Sequence, residues 1–163
     1  MIEHGIEAAR ASGSHLIGIV GGRRTILSGM YRRGLSSGGR VIRQRVAQPL
    51  SAHIEAGNIE SEDFLLDLRR IMKPLRDVDA LVLACTHYAA IAGRFQELAP
   101  EAAIIDPAEQ TARWVESHWQ LPRGSGGDVF LTTGDPESMK SAAREVFGVV
   151  IERVERGDVV SSQ

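Results

Sequence analysis

The residues best suited to chemistry form one short run, Cys85-Thr86-His87-Tyr88, which Ala84 joins to the apolar segment from Ala80 to Leu83. An apolar run of this length, bounded by polar residues, is typical of a buried strand, so the polar run stands at a predicted strand end. A thiol beside a hydroxyl and an imidazole can exchange protons or act as a nucleophile. We therefore predict that Cys85 is a catalytic group.

Cys85 also has a simpler interpretation, because free cysteine is usually a small buried hydrophobe. Its polar neighbours favour a function over an inert core position. If residues 86–88 open a helix, the first amides and the positive end of the helix dipole would stabilise a thiolate and lower the pKa of Cys85 from its free value of roughly 8.5. His87 would assist or exchange a proton itself, and Thr86 would offer a hydroxyl and an amide to a substrate carboxylate.

Two other segments are weaker candidates. Residues 18–25 form a glycine-rich turn into a helix, and such a turn can hold an anion with its backbone amides. The turn matches neither the phosphate-loop nor the dinucleotide fingerprint, and a simple tight turn is the commoner explanation. Glu55 is a second candidate, although a surface helix acid is more common. No grouping of histidine, cysteine and aspartate has metal-ligand spacing, so we predict no metal and no cofactor.

The elements that would position these residues alternate between short apolar runs and helical patterns. We predict strands at residues 15–20, 40–46, 80–83, 102–105, 128–131 and 149–151. Apolar stripes at helical spacing in residues 64–75 and 139–147 predict helices that pack on the sheet, and Ile26, Leu27, Met30 and Tyr31 predict one apolar helix face after the glycine-rich turn. This alternation is typical of an α/β fold, a parallel sheet with helices on both faces.

A capping pattern and a segment of helix breakers divide the second half of the chain. Asp106-Pro107-Ala108-Glu109 predicts a helix that begins there and runs to about Trp119. Residues 121–127 are rich in proline, glycine and serine, which predicts a loop or a boundary. We accordingly predict a domain over residues 1–122, which carries Cys85, and a strand-helix-strand segment over residues 123–163.

Composition restricts the classes of function. The chain has 163 residues, of which 43% are hydrophobic and 25% charged, with a net charge of -2. This gives no electrostatic case for a nucleic-acid or membrane partner, and the arginines between Arg23 and Arg45 predict a solvated face because they lack interleaved aromatics. One cysteine cannot form an internal disulfide, and no segment predicts a signal peptide or a membrane span. We expect a soluble, cytoplasmic protein.

Several segments together resemble the glutamate racemases, cofactor-independent members of the aspartate/glutamate racemase superfamily. The resemblance is clearest at Ala84-Cys85-Thr86-His87-Tyr88-Ala89, where the family typically reads Gly-Cys-Thr-His-Tyr-Pro. Ile2-Glu3-His4-Gly5 is similar to the Ile-Glu-Pro-Gly turn of that family. Supporting matches lie at residues 17–21, Thr25, Ser28-Gly29, Tyr31, 49–57, 104–106 and Thr111-Ala112.

The resemblance implies an aspartate/glutamate racemase-like domain and a reaction that needs two cysteines on opposite sides of the substrate's α-carbon. One thiolate removes the α-proton while the other thiol returns a proton to the opposite face. The resemblance implies that Cys85 is the second of these cysteines and that His87 assists it. It further implies that Thr86, His87, Thr25 and the turn at Gly22 contact glutamate. Family context would place the activity in the supply of D-glutamate for peptidoglycan.

The chain has too few cysteines to carry out the implied two-cysteine reaction by itself. Family members are longer, and their first half supplies the other cysteine and segments that hold the amino acid, whereas this sequence has one cysteine. We therefore expect an incomplete or split racemase that needs a complementing N-terminal half or a second copy of the chain, with residues from about 128 onward packing on that half. Two alternatives stay open: a single-cysteine enzyme such as a malonate-type decarboxylase, and a non-catalytic, self-associating remnant.

Overall fold

The computed structural model describes residues 1–120 and 127–157. In chain order its elements are α1 (Ile2–Ala11), β1 (Leu16–Gly21), α2 (Arg23–Ser28), α3 (Met30–Leu35), β2 (Val41–Val46), α4 (Gln48–Glu55), α5 (Glu62–Met72), a first 3₁₀ helix (Lys73–Leu75), β3 (Ala80–Ala84), a second 3₁₀ helix (Thr86–Ile91), α6 (Ala92–Leu98), β4 (Ala103–Ile105), α7 (Pro107–His118), β5 (Phe130–Thr132), α8 (Pro136–Phe147) and β6 (Val154–Arg156). Within these ranges no helix is long and apolar enough to cross a membrane.

A four-stranded parallel sheet in the order β2-β1-β3-β4 forms the centre of the fold. The central strands β1 and β3 are buried along nearly their whole length, as expected for strands covered on both faces. Along β3, Ala80 and Val82 pack with α1 and α3, whereas Leu81 and Leu83 pack with α4, α5 and α6. This arrangement confirms the predicted parallel sheet with helices on both faces.

Helix termini follow their capping signals. The Asp106 carboxylate accepts a hydrogen bond from the amide of Ala108 at 2.8 Å, and α7 runs from Pro107 to His118 as predicted. Ser61 caps α5 in the same way through the amide of Phe64. The Ile2-Glu3-His4-Gly5 match is the first turn of α1 rather than a connecting turn.

Two predictions about helix faces are wrong. The helix after the glycine-rich turn is broken at Gly29, whose φ of 67° lies in the left-handed region, so α2 ends at Ser28 and a separate helix, α3, begins at Met30. Tyr31 is consequently buried while Leu27 and Met30 are exposed, and no common apolar face forms from these residues. Likewise, α8 has β6 and α4 as its main neighbours instead of packing on the four-stranded sheet.

The strand predicted at residues 149–151 is also wrong. Gly148 ends α8 with a φ of 64°, and the amide of Val149 bonds back to the carbonyl of Ala143, so this stretch completes a helix cap. The last strand forms later, at Val154–Arg156, and pairs in parallel with β5 in a separate two-stranded sheet. The other five predicted strands are confirmed, with small shifts at their ends.

Gly5 is required by close packing between α1, α3 and α7. A Cβ atom there would lie 2.7 Å from the Tyr31 hydroxyl and 2.9 Å from Cγ of Pro107, both on buried residues. We expect Gly5→Ala to lower the free energy of unfolding by about 1–3 kcal/mol, because a rigid proline ring cannot yield. Urea unfolding followed by circular dichroism measures this change.

Gly93 in α6 provides the matched control, since a Cβ there would meet nothing within 4 Å. Gly93→Ala is expected to raise the free energy of unfolding by up to about 1 kcal/mol through helix propensity alone. Equal effects of the two substitutions would contradict the close packing at Gly5.

Candidate active site

The carboxyl ends of three neighbouring strands bring the candidate residues to one edge of the sheet. Gly21 of β1 pairs in register with Val46 of β2 and with Ala84 of β3. The residues that follow these positions therefore begin at the same edge, where open α/β sheets bind ligands. Cys85 and Gly22 are two of them, as the sequence predicts.

Cys85 stands between β3 and the second 3₁₀ helix. Its backbone is extended, with φ -156° and ψ 133°, and its amide bonds to the carbonyl of Leu83 at 2.8 Å. The helix predicted after Cys85 begins as a 3₁₀ helix at Thr86 and becomes α-helical only at Ala92. The tight first turn places Nδ1 of His87 3.5 Å from the half-buried Cys85 Sγ.

His87 connects the thiol to a carboxylate. Its Nε2 lies 3.0 Å from Oε1 of Glu55, the last residue of α4. A carboxylate can only accept, so Nε2 is the donor of this pair. In the neutral tautomer that carries its hydrogen on Nε2, the Nδ1 atom is able to accept from the thiol. The structure thus joins Cys85, His87 and Glu55 into one proton path, although Glu55 is 65% exposed and remains hydrated.

Two buried hydroxyl groups, those of Tyr88 and Ser51, lie near the thiol. Tyr88 is fully buried and donates a hydrogen bond to the carbonyl of Ala47 at 2.7 Å. Ser51 of α4 places its Oγ 3.8 Å from Cys85 Sγ. Ser51 was not among the residues predicted from the sequence. The available signal was its position four residues before Glu55, which puts both on one face of a helix.

The glycine-rich turn is less open to ligands than predicted. Gly22 caps α2, and the amide of Arg23 donates to Oε1 of Gln48 at 3.1 Å, so the protein fills part of the proposed anion cradle itself. This role of Gln48 was not predicted from the sequence. Thr25 lies half-buried in α2, and its part in substrate binding stays a prediction.

A cleft of about 440 Å³ opens beside His87 and Glu55. Its other wall belongs to the C-terminal segment and is largely apolar. The lining residues are Ile54, Glu55, His87, Thr132, Gly134, Asp135, Ser138, Met139, Ala142, Ala143 and Phe147. In the described ranges, no three histidine, cysteine, aspartate or glutamate side chains are grouped to hold a metal ion.

Two buried phenols are expected to lower the stability of the protein at alkaline pH. Burial raises the pKa of Tyr88 to about 12, and burial, with the Asp106 carboxylate second, raises the pKa of Tyr31 to about 12. The unfolded chain releases these protons near pH ~10, earlier than the folded chain does. The stabilisation is therefore complete below about pH 10 and is lost as the pH rises toward about 12.

We expect urea unfolding to show this loss, with Tyr88→Phe removing part of the pH dependence and about 1 kcal/mol of stability at neutral pH. A free energy of unfolding that stays constant from about pH 9 to about pH 12 would contradict the burial of both phenols.

Known proteins are similar to this chain in sequence. Residues 1–115 match the Asp/Glu/Hydantoin racemase family. A glutamate racemase from Thermus thermophilus is 35% identical over 157 residues, which cover 91% of this chain and 59% of that protein. One from Bacillus cereus is 32% identical, with 90% of this chain and 59% of that protein covered. The chain thus spans about three fifths of the length of these relatives.

Solved structures agree in fold. The glutamate racemase of Thermus thermophilus in complex with β-chloro-D-alanine superposes with a TM-score of 0.77 at 29% identity, covering 97% of this chain and 61% of that one. A glutamate racemase isoform from Bacillus anthracis superposes with a TM-score of 0.81 at 23% identity, covering 97% and 63%. Since the matched family model spans most of the 163 residues, the chain belongs to the Asp/Glu/Hydantoin racemase family.

Proposed function

We propose that this chain is the Cys85-bearing half of a cofactor-independent glutamate racemase. The observation that carries the proposal is the line from Cys85 Sγ to His87 Nδ1, 3.5 Å, and from His87 Nε2 to Glu55 Oε1, 3.0 Å. A thiol, an imidazole and a carboxylate in this order can hold and move one proton. Membership in a racemase family supports this use of the proton.

In the proposed reaction the Cys85 thiol first passes its proton to His87 Nδ1, and Glu55 stabilises the resulting imidazolium. The thiolate then takes the α-proton of the amino acid, and the electron pair of that bond remains on the substrate as a carbanion. A second thiol gives its proton to the opposite face of the same carbon. The reverse direction exchanges the roles of the two thiols.

The substrate would lie at the carboxyl edge of the sheet. Thr86 is exposed there, and its amide is at the start of a helix, where the first N–H groups have no acceptor within the helix. We propose that its hydroxyl and amide bind the α-carboxylate, with Thr25 and the turn at Gly22 contributing nearby. Glutamate is proposed because the curated relatives cited above are named glutamate racemases.

The second thiol must come from outside these 163 residues, which contain one cysteine. We propose a complementing N-terminal half as its source, in keeping with the greater length of the relatives. Residues 1–122 would form the domain that carries Cys85, and residues 123–163 the segment that packs on the other half. The two-stranded sheet of β5 and β6 suits this role, because so small a sheet needs further cover and its Leu131 is 66% exposed.

We further propose that the completed enzyme works in the cytoplasm, where it would supply D-glutamate for peptidoglycan precursors.

A racemisation assay tests the proposal. The purified chain is incubated with L-glutamate or D-glutamate, alone and together with the part of the Thermus thermophilus relative that the chain does not match. Chiral chromatography is expected to show interconversion only in the mixture. Absence of interconversion in a mixture that forms a folded complex would count against the proposal, and carbon dioxide release from substituted malonates would favour the single-cysteine alternative.

A further inference from the structure

Ser51 is a polar side chain in an apolar environment. It is 6% exposed and, with the buried tyrosines Tyr31 and Tyr88 set aside, is the one polar residue among the buried side chains of the described ranges. Its neighbours along α4, Leu50 and Ile54, belong to the hydrophobic core. Burying a hydroxyl without a partner costs free energy, so the partners of Ser51 indicate why it is there.

The Ser51 hydroxyl lies between two groups that can bond to it. Its Oγ is 3.8 Å from Cys85 Sγ, within the range of a hydrogen bond to sulfur. The Tyr88 hydroxyl is close enough to Ser51 for Ser51 to act on its pKa, and its own hydrogen is committed to the carbonyl of Ala47 at 2.7 Å. Tyr88 can therefore only accept from Ser51, whereas Cys85 can either donate to it or accept from it.

We propose that Ser51 is a positioning residue that satisfies Cys85 in both of its protonation states. When Cys85 is a thiol, the S–H can donate to Ser51 Oγ, with the Ser51 hydrogen directed to Tyr88, and it turns to His87 Nδ1 for the proton transfer. When Cys85 is a thiolate, the Ser51 hydrogen rotates to the sulfur. The inference rests on the proposed function, in which Cys85 must alternate between these two states.

Ser51 and His87 approach the sulfur from different environments. The titratable groups facing Cys85 are His87, which is paired with Glu55, and Tyr88; the flanking part of β3 contributes only apolar residues. The His87 side chain is 34% exposed, whereas Ser51 and Tyr88 are buried. Ser51 is thus a neutral donor that stays in place when the solvent-facing charges change.

Alkylation of Cys85 by iodoacetamide tests this role in the 163-residue chain, because Cys85 is its sole thiol. The rate is measured from about pH 6 to about pH 10, since only the thiolate reacts. Ser51→Ala is expected to slow alkylation about threefold to tenfold near pH 7 and to move the rate profile to higher pH, because a hydrogen bond to the thiolate is lost. Ser117→Ala, on an exposed part of α7, should leave the profile unchanged.

A second pair of variants separates the effect of the Ser51 hydroxyl from the effect of side-chain volume. Ser51→Thr keeps the hydroxyl and should retain the wild-type profile, whereas Ser51→Val has the same shape as threonine and should behave like Ser51→Ala. An unchanged profile in both Ser51→Ala and Ser51→Val would overturn the proposal.

The alkylation experiment can be read whether or not the protein racemises glutamate. If Ser51 variants alter alkylation while the complemented protein racemises nothing, the contact between Ser51 and the thiol is upheld and the proposed function fails. If racemisation occurs and the Ser51 variants have the wild-type alkylation profile, the proposed function is upheld and the positioning role fails.

Discussion

Replacing Cys85 with serine is expected to lower the rate of glutamate racemisation by the complemented protein at least about a thousandfold. A serine hydroxyl has nearly the same shape but loses its proton far less readily than a thiol. His87 and Glu55 would remain 3.0 Å apart, so the site would keep its imidazole and carboxylate while losing the group that takes the α-proton. Chiral chromatography of the products measures the rate.

The same variant should keep the fold, because Cys85 is half-buried and a smaller oxygen atom fits in place of sulfur. Its melting temperature and its association with the complementing half are the controls. Retention of more than about a tenth of the wild-type rate would show that Cys85 is not an acid/base group in the reaction.

Replacing His87 with asparagine is expected to have the second largest effect, a loss of about 10²-fold to 10⁴-fold in kcat. Nδ1 of His87 is the nearest group able to accept the Cys85 proton, at 3.5 Å. Glu55→Gln should cost less, about tenfold, because Glu55 orients the imidazole from an exposed position where water partly replaces it.

A second imidazole-carboxylate pair offers a matched control for both variants. His53 Nε2 lies 3.4 Å from Asp67 Oδ2, joining α4 to α5. His53→Asn and Asp67→Asn remove the same kinds of group within the same helix layer. We expect either change to alter kcat less than about twofold, and a loss equal to that of His87→Asn would remove the special role of His87.

Local sequence signals predicted the parts of the site that depend on neighbouring residues. Cys85 and His87 are two positions apart, and an apolar run followed by polar residues is enough to place them at a strand end. Asp106 and Pro107 predicted the start of α7 for the same reason, since capping is decided within one helical turn. The parallel sheet followed from the alternation of strands and helices.

Contacts between distant segments were not predictable in this way. Glu55 reaches His87 and Ser51 reaches Cys85 only because β2 and β3 flank β1 and α4 follows β2 at the same edge. The wrong prediction of a strand at residues 149–151 has a related cause. Three consecutive apolar residues look the same in the sequence whether they pair with another strand or follow a helix cap. Gly148 decided the outcome through its left-handed backbone.

The most direct test of the central claim is racemisation of glutamate in D₂O. We predict that the chain and its complementing half together invert glutamate. The newly formed enantiomer should carry deuterium at the α-carbon, because the thiol that returns the hydrogen has exchanged with D₂O. The chain alone should not invert glutamate, since Cys85 is its one thiol and reaches one face of the substrate. Inversion by the chain alone, or by a mixture containing Cys85→Ala, would contradict the account.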